Sequence, residues 1–226
     1  MASYNLHGGH NPKNKIACGA VGLLDESEQD RIIKNKVISI LRANGHTVYD
    51  CTEDNGTSQS DVLKKIVTKC NAHKVDLDVS IHFNSAANDL KGNGKTTGTE
   101  VYIYSPTAGA KEYAERTVNA IASLGFRNRG VKSNTSLRVL RETAAPAMLI
   151  ECCFVDDADD AKLYSSQAMA SAIVYGITGR RLQEPAPVEK NSKNYRVQVG
   201  SFSNPANAER LKADLIGKGY SAFITQ

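Results

Sequence analysis

The sequence predicts an α/β fold, a twisted, mostly parallel (mixed) sheet flanked by helices, with a small β-α-β unit at its C-terminal end. Three observations carry this. Residues 75–84 read V-D-L-D-V-S-I-H-F-N, so Val75, Leu77, Val79, Ile81 and Phe83 alternate with Asp76, Asp78, Ser80, His82 and Asn84. That is the period of a strand with one buried and one polar face. Strand-like stretches then alternate with helical ones along residues 3–177, the pattern of an α/β domain. Finally, residues 180–193 (R-R-L-Q-E-P-A-P-V-E-K-N-S-K) are polar and proline-bearing, a linker composition. The expected domains are therefore 1–179, a linker over 180–193, and a unit over 194–226.

Taken in order, Ser3–Leu6 is a strand followed by the turn H-G-G-H-N-P at residues 7–12, whose glycines let the backbone come close to a ligand. Asp25–Asn44 is a helix with Ile32, Ile33, Val37, Ile40 and Leu41 inward, acidic residues in its first turn and Gly45 at its end. Thr47–Cys51 is a second strand. A helix then opens near Ser58 or Ser60 and runs through Val62, Ile66, Val67 and Cys70 into the 75–84 strand. Asn88–Gly98 is a polar, glycine-rich loop, Thr99–Tyr104 a strand and Ala108–Leu124 a helix. Leu137–Leu140 reads as a short strand, Ala147–Phe154 as an apolar strand with Glu151 inside it, and Ser166–Ile177 as a helix. In the tail, Tyr195, Val197 and Val199 alternate, Asn204 and Pro205 open a helix through Leu215, and Tyr220–Ile224 is a strand.

The chain has 226 residues, 41% of them hydrophobic, and a formal net charge of +4. This is enough for one ordinary domain with an appendage. The mild positive charge suits an anionic surface, but no basic patch interleaved with aromatics argues for nucleic acid. The five cysteines, Cys18, Cys51, Cys70, Cys152 and Cys153, contain no CxxC pair and read as reduced, partly buried thiols. No run approaches membrane-spanning length, and the start M-A-S-Y-N-L-H has no charged-then-apolar leader.

Four residues carry chemistry. His10 lies in the glycine turn, Glu26 at the start of the first helix, and His82 near the carboxyl end of the 75–84 strand, where ligands sit in open α/β sheets. Two imidazoles and one carboxylate form the ligand set of an open, catalytic zinc site, which leaves the ion net positive. Glu151 stands in an apolar strand, where burial raises a carboxyl pKa and suits it to proton transfer. Each has a structural alternative. His82 can be a hydrogen-bonded strand histidine, His10 a turn cap, and Glu151 a paired core charge. Asp25, Glu28 and Asp30 compete with Glu26 as helix-dipole carboxylates.

Six motifs in order distinguish these possibilities: G-H-N at 9–11, Glu26, S-I-H-F-N at 80–84, N-R-G-V-K at 128–132, L-R-V-L-R-E-T at 137–143 and P-A-M-L-I-E-C-C-F-V-D at 146–156. Together they resemble the zinc-dependent N-acetylmuramoyl-L-alanine amidases of the amidase-3 family, over residues 4–179. The resemblance implies a peptidoglycan hydrolase that cuts the amide between N-acetylmuramic acid and L-alanine. It places the Zn2+ ligands on His10, Glu26 and His82 and the catalytic glutamate on Glu151. The family turn usually reads Asp-Pro-Gly-His-Gly; here it is His-Gly-Gly-His-Asn, so His7 is a rival to His10, as Glu28 is to Glu26. Asn84, Arg138 and Arg141 are candidate substrate-binding residues, and the 88–98 loop is expected to border the site.

Residues 194–224 are similar to one β-α-β repeat of a SPOR module, a peptidoglycan binder that normally contains two repeats. About thirty residues can hardly bury a sufficient core alone, so two readings are open: a homodimer that pairs two half-modules, or a tail packed on its own catalytic domain or left loosely folded. The implied partner is peptidoglycan, with no nucleic acid and no membrane. Synthesis in the cytoplasm without a signal peptide, with release by a holin or by cell lysis, is the expected route. A non-catalytic wall-binding protein and a zinc peptidase cutting within the stem peptide are the alternative functions.

Overall fold

The computed structural model describes residues 1–184, 198–217 and 222–224. The chain divides into two compact units, Met1–Pro185 and Ala186–Gln226. The first holds the strands β1 (Ser3–Gly8), β2 (Thr47–Asp50), β3 (Leu77–Asn84), β4 (Thr99–Ile103), β5 (Asn128–Ser133) and β6 (Ala147–Phe154). Its helices are α1 (Glu26–Ala43), α2 (Gln59–Asn71), α3 (Lys111–Ala122), α4 (Arg138–Glu142), α5 (Ala158–Leu163) and α6 (Ser166–Thr178).

The six strands form one sheet in the order β2-β1-β3-β6-β4-β5. β1, β2, β3 and β6 run parallel; β4 is antiparallel to β6 and parallel to β5, so the sheet is mixed. One face carries the larger core, where Ile33, Val37 and Leu41 of α1, Ala114, Val118 and Ile121 of α3, and Met169 and Ile173 of α6 pack on Leu6, Leu77, Ile81 and Ile150. On the other face Val62, Ile66 and Val67 of α2 and Val139 and Leu140 of α4 cover Leu149 and Ala147. The helix starts follow local capping rules. Asp25 accepts from the Glu28 N–H, Ser58 from Asp61 and Ser165 from Ala168, while Gly179, with φ +69°, closes α6.

Several expectations need correction. Leu137–Leu140 is not a strand: α4 occupies Arg138–Glu142, because Asn134 Oδ1 accepts from the Ser136 and Leu137 N–H groups and turns the chain first. Four apolar-rich residues do not separate the two periods. The edge strand β5 and the short helix α5 were not anticipated; β5 (N-R-G-V-K-S) is only partly buried and lacks an apolar alternation. Ile32 is 41% exposed, as the buried stripe of α1 is centred on Ile33, Val37 and Leu41. The polar face of β3 is buried as well: Asp78, Ser80 and His82 lie under the second helical layer or among site residues. All five cysteines are free thiols, four of them buried.

In the second unit, α7 spans Pro205–Gly217, with Pro205 at its first position and Asn204 Oδ1 accepting from the Ala206 N–H. The described parts of the two strands expected there, 198–202 and 222–224, hold no strand; residues 195–197 and 220–221, and 185–193 of the expected linker, lie outside the described residues.

Candidate active site

Strand register carries a row of polar side chains across one sheet face. Asn5 pairs with Asp78 and His7 with Ser80 between β1 and β3, His82 with Glu151 between β3 and β6, and Glu151 with Glu100 between β6 and β4. Neighbouring strands are about 4.8 Å apart, so each member of a pair sits beside the next. The first part of the row is structural: Asn5 Nδ2 donates to Asp78 Oδ1 at 2.6 Å, and His7 lies 3.4 Å from both the Ser80 hydroxyl and the Gly8 carbonyl. His7 is buried, and burial followed by the nearby His82 ring lowers its pKa to about 3. It is not part of the metal-type cluster.

That cluster is His10, Glu26 and His82, whose ligand-type atoms all lie within 4.8 Å of one another. Glu26 Oε1 is 3.1 Å from His10 Nε2 and 3.0 Å from His82 Nδ1. It also accepts the Phe83 N–H, while Oε2 accepts that of Ala20, so both carboxylate oxygens are fixed. Burial opposes ionisation of Glu26, yet hydrogen bonds from the two imidazoles outweigh it and hold its pKa well below the usual range. The competing acids have other partners. Asp25 caps α1, Glu28 pairs with exposed Lys13, and Asp30 packs against Gly8.

Backbone shape makes the cluster possible. A Cβ at Gly9 would fall 1.7 Å from His82 Cε1, and one at Gly19, where φ is +81°, would fall 2.6 Å from Glu26 Oε2. The His10 turn is held from below. Asn11, fully buried, donates to the Gly56 carbonyl and accepts the Gly56 N–H, and Arg31 Nη2 donates to the His10 carbonyl at 2.6 Å. Two imidazole nitrogens and a carboxylate oxygen converging in this way could hold one divalent ion.

Beside the cluster stands Glu151. Its Oε2 is shut from solvent and makes no hydrogen bond among the described residues. Burial, then the negative Glu26 and Glu100, raises its pKa to about 8. Glu100, not anticipated from the sequence, is 2% exposed and fully engaged. Its Oε1 accepts from Asn84 Nδ2 and the Tyr102 hydroxyl, and its Oε2 from Arg129 Nε and Lys132 Nζ. Burial opposes its ionisation, but the cations prevail and its pKa is lowered. A glutamate inside the strand pattern T-E-V-Y-I was the available signal, of the same kind that singled out Glu151. Arg138 and Arg141 lie on α4, where both pair with Glu142; neither hydrogen-bonds to the cluster.

The 85–98 loop between β3 and β4 is stitched down by acids that follow β6. Asp156 accepts the N–H groups of Ala86, Ala87 and Asn88, Asp159 those of Asn93, Gly94 and Lys95, Asp157 that of Thr97, and Asp160 that of Gly98. A second close acidic group, Asp89, Asp157 and Asp159, therefore serves as a loop fastening.

Comparison with known proteins shows the family and the fold. Residues 6–179 match the amidase-3 model, described as N-acetylmuramoyl-L-alanine amidase, and residues 191–226 match the SPOR domain. The N-acetylmuramoyl-L-alanine amidase CwlM of Bacillus licheniformis is 34% identical over 74% of this chain and 64% of its own length. An uncharacterized protein of Clostridium perfringens is 33% identical over 79% of this chain and 52% of its own. This chain thus spans between about half and two thirds of the length of these relatives. The solved catalytic domain of the CD27L endolysin targeting Clostridia difficile superposes with a TM-score of 0.69 at 25% identity, over 81% of this chain and 100% of that one.

Proposed function

This chain belongs to the amidase-3 family of N-acetylmuramoyl-L-alanine amidases, and we propose that it hydrolyses the amide between the lactyl group of N-acetylmuramic acid and the L-alanine of the stem peptide. The supporting observation is the meeting of His10, Glu26 and His82 beside the unpartnered carboxyl of Glu151. In this reading the three ligands hold Zn2+, for which two imidazoles and a carboxylate are a fitting open set. A bound zinc ion supplies Lewis acidity toward the amide carbonyl and toward water. Glu151 is the general acid and base. It enters as the carboxylate, favoured beside a cation, and takes up the proton of the attacking water. Its buried position favours the neutral form, so it holds that proton until the leaving nitrogen, the stronger base once the carbonyl has been attacked, receives it.

The tail serves as a peptidoglycan-binding module that keeps the enzyme at its substrate. Val199, Phe202 and Ile216 are 62%, 45% and 52% exposed, which supports pairing of two half-modules from two chains into one core. Light scattering on the full chain and on a form cut at Gly179 tests this, and two monomers would exclude it.

The test of the whole reading is zinc content by elemental analysis beside wall turbidity, for the wild type and His82→Ala. About one zinc per chain, lost together with lysis in the variant, is expected; a wild type that clears walls without metal would overturn the mechanism. Mass spectrometry of the digest identifies the bond, since free L-alanine amino termini without new reducing sugars mark the lactyl amide.

A further inference from the structure

Glu100 is more than a neighbour of Glu151: it anchors two cations beside the site. Arg129 donates to it through Nε at 2.6 Å, and Lys132 shares the same oxygen. With one buried carboxylate between two cations, the trio keeps one net positive charge. Arg129 is further fixed by its guanidinium lying 5.0 Å from the centre of the Phe154 ring, while Lys132 lies over Tyr102. Because Arg129 uses only Nε on Glu100, its two terminal amino groups make no hydrogen bond among the described residues, and its side chain is 28% exposed. Here is an arginine whose orientation is set from within and whose outer edge is open, the arrangement that receives a carboxylate through parallel N–H bonds.

We propose that Arg129, oriented by Glu100 and supported by Lys132, is a specificity-determining residue that binds the α-carboxylate of the second stem-peptide residue, the γ-linked D-glutamate. The proposal rests on the amidase reading above. Spacing supports the assignment. β5 is two strands from β6, about 10 Å at the usual strand separation, and the Arg129 side chain leans back over β4 to reach Glu100. An extended peptide advances about 3.3–3.6 Å per residue, so a chain whose first amide lies at Glu151 and which runs across β4 toward β5 has its second residue within reach of Arg129. Arg138 and Arg141, by contrast, are spent on Glu142, Ser60 and Ser136.

The test is calorimetric binding to the zinc-loaded full chain of two peptides that differ in one group, L-Ala-γ-D-Glu-L-Lys and its α-carboxamide at the second residue. The wild type is expected to bind the carboxylate form about tenfold more tightly, the scale of one charge-assisted bond. Arg129→Gln is expected to bind both alike, and Arg138→Gln to keep the preference. A wild type without preference, or with no binding of either peptide, would overturn the subsite. So would a preference that survives in Arg129→Gln or falls equally in Arg138→Gln. Cleavage is read separately, by mass spectrometry on muramoyl peptides. An enzyme that cuts them without discriminating the pair loses only this inference, and one that discriminates without cutting loses only the amidase reading.

Discussion

Glu151 and Glu100 are adjacent glutamates on paired strands, and their surroundings drive them to opposite states. Glu100 meets two cations, an amide and a hydroxyl and favours the ionised form; Glu151 Oε2 meets nothing among the described residues and, with no cation beside it, favours the protonated form. The consequence for catalysis is that Glu151→Gln lowers kcat by about 10²–10⁴-fold while the zinc content of the protein is unchanged, read by turnover beside elemental analysis. The consequence for stability follows from linkage. The folded carboxyl titrates near 8 and the unfolded one at 4.5, so between these values the folded state binds the extra proton and stability falls as pH rises. In chelator-treated protein, melts from pH 4 to 9 should show this fall, at most about 5 kcal/mol, and Glu151→Gln should reduce it, leaving the part due to Asp30, whose pKa burial raises to about 7. The isolated Glu151 was legible in the sequence as a charge in an apolar strand. Arg129 and Lys132 were not, because nothing local to N-R-G-V-K says that a carboxylate from another strand lies under them.

At the level of elements, α3 and α6 approach closely because Gly176 leaves room for Thr117. A Cβ there would lie 2.1 Å from Thr117 Oγ1 and 2.6 Å from its Cα. Gly176→Ala therefore forces the two helices apart and costs about 1–3 kcal/mol, read as a lower denaturant midpoint. Thr117 borders Met148 near the start of β6, away from Glu151, so activity per folded molecule should hold. Long amphipathic helices such as α1 and α2 were readable from their period and caps. The short α4 was not: Val139 and Leu140 are adjacent apolar residues that fit either period, and only their packing against α2 fixes them as helical.

For the whole molecule, the site and both apolar clusters lie within Met1–Pro185. A form ending at Pro185 should keep its melting temperature and its turnover of a soluble muramoyl peptide. Its retention on whole walls should fall by about tenfold or more, since the tethered module no longer raises its local concentration; co-sedimentation with walls measures this. Among the described residues no helix is long and apolar enough to cross a membrane.

The sequence by itself determined the mixed α/β plan, and it singled out residues 10, 26, 82 and 151 as candidates and a tail beyond a main domain. The plan follows from period and capping, which are local properties, and the four candidates from the order of motifs that resemble the family. Only the tertiary structure decided how they meet. His10, Glu26 and His82 are far apart in the chain, and strand register and a turn without side chains at Gly9 bring them within 4.8 Å. Register likewise set Glu100 beside Glu151 and gave Arg129 its anchor. Pairing across strands depends on which strands become neighbours, and that is settled by packing of the whole sheet.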